Sequence, residues 1–376
     1  MDFHHGGKLS VNDHRAAIPP PDFTEERFRT APDAAFAPMP EDGVLPEGFF
    51  ATTNLPTYVR VEGEWIRPRD SRMDCVVARA GDGGLVVREA RLLAGGTLVA
   101  MGESEDGSAG IFVNTAGFFG GGHSGNEFRF MSTEVSRERP VDYDRLAAVL
   151  CEERQAGGFI IWVAGPALVH SRARDNLVWF IEQGFVSVLL AGNALGVHDL
   201  EAAIHGTTLG MTADGQPTDQ GHGLHMRTIN TIRAAGSIEA AVEAGTVTSG
   251  IMHALVKTGV PYVLAGSIRD DGPLPGVISN AIEAQDAMRG YTKKATAAVF
   301  LATALHAIAV GNMLPAFVEV GDMVRTLPTI CVDNEEFVVN KLRDRGTHQA
   351  FGVVTNAQDF MQVLRMHVEQ WEQAHQ

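Results

Sequence analysis

The sequence predicts an α/β protein in which a parallel sheet, covered by helices on both faces, follows a small β-rich unit. Three observations carry this reading. Unalternating apolar runs of strand length occur at FIIWVAG (159–165), FVSVLLAGN (185–193), YVLAGS (262–267), AVFLAT (298–303), TICVD (329–333) and AFGVVTN (350–356), with helical segments between most of them. Strands that are apolar on both faces and joined by helices belong in a parallel sheet buried on both sides. Ahead of them lie YVRVEGEW, DCVVARA, LVVREAR, TLVAMG and GIFVN, short β-branched runs separated by glycine turns such as GDGG and AGG. Several of the later strands end in small or polar residues (AGP, AGN, AGS, VDN, VTN). Ligands of open α/β sheets bind beyond the carboxyl ends of the strands, so these endings point to the site.

The chain divides accordingly. Residues 1–45, rich in proline, alanine and charge, read as an extended arm, disordered or wrapped over a neighbour. Residues 46–140 read as the β-rich domain, a small sheet unit or barrel. From 141 to 376 the α/β pattern holds. It opens on a helix, DYDRLAAVLCEERQ, that places Leu146, Val149 and Leu150 on one face.

A length of 376 residues suits two domains. With 45% apolar and 20% charged residues, the composition excludes a disordered, collagen-like or coiled-coil chain. A formal net charge of −16 repels phosphate backbones and anionic lipid. Nucleic acid and membrane are therefore excluded as expected partners, while a local basic pocket for a small anion stays compatible. Cys75, Cys151 and Cys331 are far apart and odd in number, as expected of free thiols in a reducing compartment. The first residues carry no apolar signal-peptide core, and a cytoplasmic location is expected. Ala295 to Val318 lacks Asp, Glu, Lys and Arg. It contains His306, Asn312 and Pro315, though, and splits into a strand and a helix rather than one span.

Several segments have chemistry to offer. Gly120 to Gly125 spells GxGxxG, but an extended stretch follows where the dinucleotide fingerprint needs a helix, so it reads as a glycine loop. In AGNALGVHDLE (191–201), Asn193 sits between strand and helix. Its amide could bond a ligand or cap the helix, with His198 and Asp199 one turn on, functional or solvated. GHGLHMRTIN (221–230) offers His222 and His225 at metal-ligand spacing, but no third ligand is spaced to complete a site, and no metal is expected. In AGSIRDDGPLP (265–275), Arg269, Asp270 and Asp271 occupy a rigid loop at a strand end, able to clamp a carboxylate, ribose hydroxyls or an ammonium. Thr303, Ala304, Leu305 and His306 start a helix after a strand, where free N–H groups can hold phosphate. Asp333 ends a strand, placed to bond a ribose or cap the next helix. Asn54 and Arg60 lie near a strand start in the β-rich half.

Taken together, ATTNLPTYVRVEGEW (51–65), MDC (73–75), FMSTEVSRERP (130–140), LLAGNALGVHDLE (189–201), TSGIMHALVKTGVPYVLAGSIRDDGPLP (248–275) and CVDNEEFVVNKLRDRG (331–346) resemble the LOR/SDH-type domain family, which includes NAD-dependent ornithine cyclodeaminases. The C-terminal half of that family is similar to the deoxyhypusine synthase fold. The resemblance therefore implies a Rossmann-like domain over 141–376 with NAD as cofactor and a diamino acid as substrate. The implied reaction takes L-ornithine to L-proline and ammonia. It implies cofactor contacts at Asn193, Ala194, Asp271, Thr303, Ala304, Leu305, His306 and Asp333. Asn54, Arg60 and Asp270 are expected near the substrate, and Lys257 or His198 as general base. A homo-oligomer with sites near subunit interfaces is expected as well. A related dehydrogenase, deaminase or aminoalkyl transferase acting on another diamine, and a non-catalytic NAD-binding assembly protein, remain as alternatives.

Overall fold

The structure, a computed structural model, describes residues 15–118, 141–170, 173–212, 215–219, 221–270, 272–335 and 350–375. The Gly120–Gly125 loop lies outside these residues, as do Asp271 and most of the segment after Asp333.

The N-terminal part is a two-sheet sandwich. One sheet has the order β1-β6-β4-β5, from Phe36–Pro38 (β1), Val76–Arg79 (β4), Leu85–Arg88 (β5) and Leu98–Ala100 (β6). The other joins Thr57–Val61 (β2), Glu64–Ile66 (β3) and Ile111–Val113 (β7) in the order β3-β2-β7. Both sheets are antiparallel, and neither closes into a barrel. The β2–β3 hairpin turns on Glu62 and Gly63, both at positive φ, as a tight hairpin demands. Val59, Val77, Val87, Ala100 and Ile111 form the core between the sheets.

The described part of the arm, 15–45, does not stand apart. β1 pairs with β6, and Phe28, on the short helix Glu26–Arg29 (α1), is fully buried. Phe23 stacks on Trp65, with ring centroids 5.2 Å apart. Aromatic burial inside a proline-rich stretch is what ties the arm down.

The C-terminal part is a six-stranded parallel sheet of Ile160–Ala164 (β8), Val188–Gly192 (β9), Tyr262–Ala265 (β10), Ala297–Leu301 (β11), Thr329–Asp333 (β14) and Ala350–Val354 (β15). Their order is β10-β9-β8-β11-β14-β15. Every apolar run singled out in the sequence for this sheet is one of its strands. The chain starts at the centre, adds β9 and β10 on one side, then returns to add β11, β14 and β15 on the other. The reversal leaves a crevice between β8 and β11, where doubly wound sheets bind their ligands.

Helices Tyr143–Gln155 (α2), Ala167–His170 (α3), Arg174–Glu182 (α4), Asn193–His205 (α5), Leu224–Ala235 (α6), Ile238–Glu243 (α7), Ile251–Thr258 (α8), Ala281–Thr292 (α9), Ala304–Met313 (α10) and Ala357–Ala374 (α11) complete the fold. Asp142 caps α2 by accepting from Arg145 N at 3.0 Å, and Leu146, Val149 and Leu150 are buried as their spacing predicts. One face of the sheet packs Trp162, Leu189 and Val299 against α2, α4, α5, α8 and α11; the other packs Val163, Leu190 and Phe300 against α9 and α10. Among the described residues no helix is long and apolar enough to cross a membrane. The three cysteines are free and buried.

One element was not anticipated. The hairpin Phe317–Val320 (β12) and Met323–Thr326 (β13) leaves the α/β part and joins the core of the sandwich through Ala316, Phe317 and Val324. Ile18 of the arm bonds Val324 through both backbone groups.

Candidate active site

A cleft of about 460 Å³ opens beyond the carboxyl ends of four strands. Its walls are Ala167 and His170 after β8, Ala302 and Ala304 after β11, Asp333 to Glu335 after β14, and Thr355 and Asn356 after β15. Two glycines let the backbone come close here. Gly165 N donates to Leu301 O at 2.9 Å, and a Cβ on Gly165 would overlap the carbonyl oxygen of Ala302. A Cβ on Gly192 would lie 2.8 Å from His306 Cε1, so the His306 ring rests on bare backbone at the end of β9. Ala302 itself has φ 49°, the left-handed region that a non-glycine residue occupies only at a cost.

Two helices begin at this edge without side-chain caps. The residue before α5 is Gly192, which has no side chain to offer. The residue before α10 is Thr303, whose Oγ1 lies 3.4 Å from His306 Nδ1 and caps nothing. Uncapped first turns leave N–H donors and the positive end of the helix dipole facing the cleft side of the sheet.

Of the expected cofactor residues, Ala304 and Asp333 line the cleft, and Asn193, Ala194, Thr303, Leu305 and His306 lie at the starts of α5 and α10. Asp333 is the last residue of β14, 8% exposed, on the cleft wall; its Oδ1 accepts from Glu335 N at 3.0 Å. Asn193 is buried, and its Oδ1 accepts from Leu274 N at 3.0 Å. It therefore does not cap α5; it ties Leu274 to the start of that helix. Ala194 follows it in the first turn. Thr303 and His306 are half-buried, while Ala304 and Leu305 are exposed. Burial pushes the His306 imidazole down, and the nearby Asp270 carboxylate pulls the other way. Asp270 also stabilises its own loop, accepting from Ser267 N at 2.7 Å. Arg269 is exposed.

The structure does not bring the remaining candidates to the cleft. Arg60 pairs with Asp33 of the arm at 2.8 Å, a bond that holds the arm to β2. Asn54 is buried in the loop before β2, and its carbonyl accepts from Ala316 N. Lys257 is exposed in the last turn of α8, on the chain that enters β10 at the opposite edge of the sheet. Asp199 is not solvated. It is fully buried and accepts from Arg174 Nε at 2.6 Å, Ile251 N at 2.9 Å and Met252 N at 2.8 Å, so its role is to cap α8.

His198 is 7% exposed, on α5, with its ring centroid 4.7 Å from that of His170 on the cleft wall. Burial, with the neighbouring His170 and His225 adding to it, lowers its pKa to about 4, so the ring is neutral near pH 7. Sequence reasoning paired His225 with His222 and found no third partner. In space His225 joins His198 and Glu201, each offering one ligand atom within 4.8 Å of the others. Glu201 was missed altogether, because its spacing from His198 is also that of an ordinary helix face.

A second cavity, about 410 Å³, lies near the amino ends of the strands between the two parts of the chain. It is lined by Arg69, Arg72, Arg289, Lys293 and Lys294 together with Asp70 and Glu319. Asp70 and Glu89 bind several of these cations: Lys293 with Asp70 at 2.9 Å, Arg72 with Glu89 at 2.7 Å, and Arg289 with Glu89. The network joins the β3–β4 loop and the residue after β5 to the C-terminal part of α9.

Residues 144–364 match the family described as arginine dihydrolase ArgZ-like, C-terminal, Rossmann fold, and residues 56–143 match the first region of the same C-terminal unit. The chain belongs to the ArgZ-like C-terminal family. Within this family it is 43% identical over 338 residues to an ornithine cyclodeaminase of Methanopyrus kandleri, covering 87% of this chain and 76% of the other. It superposes on a conserved LOR/SDH protein of Methanococcus maripaludis with a TM-score of 0.80 at 38% identity, covering 91% of this chain and 99% of that one. The complex of AgrE with ornithine and NAD⁺ is similar at a TM-score of 0.59 and 35% identity, covering 92% of this chain but 47% of AgrE. The ArgZ-like membership bears out the expected α/β class and the LOR/SDH resemblance.

Proposed function

We propose that this protein is an NAD-dependent ornithine cyclodeaminase that converts L-ornithine to L-proline and ammonia. The observation that carries the reading is its similarity, across nearly the whole chain, to proteins named ornithine cyclodeaminase. A related structure holds ornithine and NAD⁺ together.

The residues at the switch point fit such a nucleotide. Asn193, Ala194, Thr303, Ala304, Leu305 and His306 supply two uncapped helix starts for a pyrophosphate, and the Asp333 carboxylate suits ribose hydroxyls. Asp271 belongs to the same proposed contact set. Held by these residues, NAD would supply a reversible hydride acceptor for an amine-bearing carbon of the substrate. The chain's own residues must hold the diamine, keep water out and accept a proton from one amine before the hydride moves. Of the two proposed bases we take His198, because its ring sits beside the cleft wall. Lys257 faces solvent elsewhere. Asp270 stays in the proposal as a carboxylate beside His306. Asn54 and Arg60 keep a substrate role only if a neighbouring subunit brings them to a cleft. We infer a cytoplasmic homo-oligomer with sites near subunit interfaces. Ile268 and Leu305, 106% and 68% exposed, are apolar side chains on loops and helix starts at the cleft edge of the sheet that a second chain would cover.

Incubation with L-ornithine and catalytic NAD⁺ tests the reading. Proline and ammonia should appear in equal amounts with no net NADH. Accumulating NADH points instead to a dehydrogenase, product only with a second amine to a transferase, and NAD binding without turnover to a non-catalytic protein.

A further inference from the structure

The cavity between the two parts of the chain gathers cations that its carboxylates do not balance. Arg69 is matched by Asp82 at 2.9 Å, and Glu319 by Arg67 at 3.2 Å. The others are not matched one to one. Arg72 and Arg289 share Glu89, while Arg88 and Lys293 share Asp70. Lys294 lines the same cavity and forms no ion pair among the described residues. Five cations around the cavity therefore meet two carboxylates.

Two of these cations are built into the protein rather than carried on its surface. The Arg72 and Arg289 side chains are each 7% exposed. Each also keeps a buried N–H donor without a hydrogen-bond partner, Arg72 Nε and Arg289 Nη2. A buried donor with no acceptor costs free energy, and more so on a charged group. Burial and the adjacent Arg72 push the Arg289 guanidinium down to about 10, as like charges held together with too little anion should. It stays charged near neutral pH.

We propose that this cavity binds a small phosphorylated molecule, its phosphoryl group held by Arg72 and Arg289 together with Lys293 and Lys294. A phosphate monoester carries about −1.5 to −2 charges near pH 7, closer to the local excess than a single carboxylate, and its oxygens accept bidentately from guanidinium groups. The volume of about 410 Å³ exceeds the needs of a bare phosphate and lies in the range of small-molecule sites. Met313, Pro315 and Phe317 give an apolar wall for the organic remainder. The cations come from both sheet systems: Arg72 from the β3–β4 loop, and Arg289, Lys293 and Lys294 from the end of α9 and the turn before β11. A ligand seated there spans the junction and stabilises it. The site lies at the strand ends opposite the nucleotide cleft and does not rest on the cyclodeaminase reading.

The test is calorimetric titration of the full chain with inorganic pyrophosphate, at constant ionic strength and with excess NADH to occupy the cleft. One pyrophosphate per chain should bind saturably, and the melting temperature should rise with its concentration. Lys294→Glu, a change at an exposed position, should weaken that binding at least about tenfold and leave NADH affinity unchanged, while Lys294→Arg should retain it. Arg289→Gln should weaken it further; if that variant does not fold, the Lys294 pair decides alone. Succinate, titrated in parallel, should bind at least about tenfold more weakly than pyrophosphate. Absence of saturable binding overturns the site. So does equal affinity in the wild type and Lys294→Glu, or binding that excess NADH abolishes, which would put the pyrophosphate in the cleft. Succinate binding as tightly as pyrophosphate overturns the phosphoryl assignment.

Discussion

His198 is a buried imidazole with a folded pKa near 4 against an ordinary value of 6.5. The unfolded chain therefore binds a proton that the folded chain refuses. Stability from this group is complete above about pH 6.5 and is lost as pH falls towards 4. Between about pH 7 and pH 5 the loss is on the order of 2 kcal/mol. Urea unfolding of the wild type and His198→Gln at both pH values should show a smaller acid loss in the variant; parallel losses would mean that His198 is not held neutral. This residue was visible in the sequence, but its environment was not. His198 and His225 are 27 positions apart, and only the packing of α5 on α6 brings their rings to 5.6 Å. For the same reason Asp199, beside His198 in sequence, could not be recognised as the cap of a helix fifty residues on.

At the scale of elements, that cap is a strong local determinant. Asp199 satisfies the first N–H groups of α8 and the Arg174 side chain at once. Asp199→Ala leaves Arg174 without its carboxylate and α8 without its cap, and should cost about 3–5 kcal/mol by chemical denaturation. A loss below about 1 kcal/mol would show the network to be dispensable. Gly165 sets the crevice between β8 and β11. Gly165→Ala drives a methyl into the Ala302 carbonyl, so it should abolish measurable NAD binding while secondary structure by circular dichroism persists; unchanged affinity would place the nucleotide elsewhere. The parallel strands were legible because fully buried strands carry long apolar runs. The β12–β13 hairpin was not: FVEV and MVRT are short and half-exposed, and their buried Phe317 and Val324 enter a core that belongs to the other sheet unit.

Among the described residues, two sheet systems are joined by the β12–β13 hairpin, by the arm that bridges to it and by the ion-pair network around Glu89. The sequence pattern separates the systems by periodicity and reads the arm as disordered or wrapped over a neighbour. Phe23 and Phe28 fix its described part on the sandwich of its own chain, since two aromatic rings bury enough area to order a segment whose composition alone favours disorder. The same joining leaves the strand ends of the α/β part facing outward, with Asp333, His306 and Asn193 at one edge. The account depends on that edge holding a nicotinamide dinucleotide. Calorimetric titration with NAD⁺ of the wild type and of Asp333→Ala tests this most directly. Saturable binding to the wild type, weakened about ten- to a hundredfold in the variant, is the predicted result. No heat with the wild type, or equal affinities for both proteins, would contradict it.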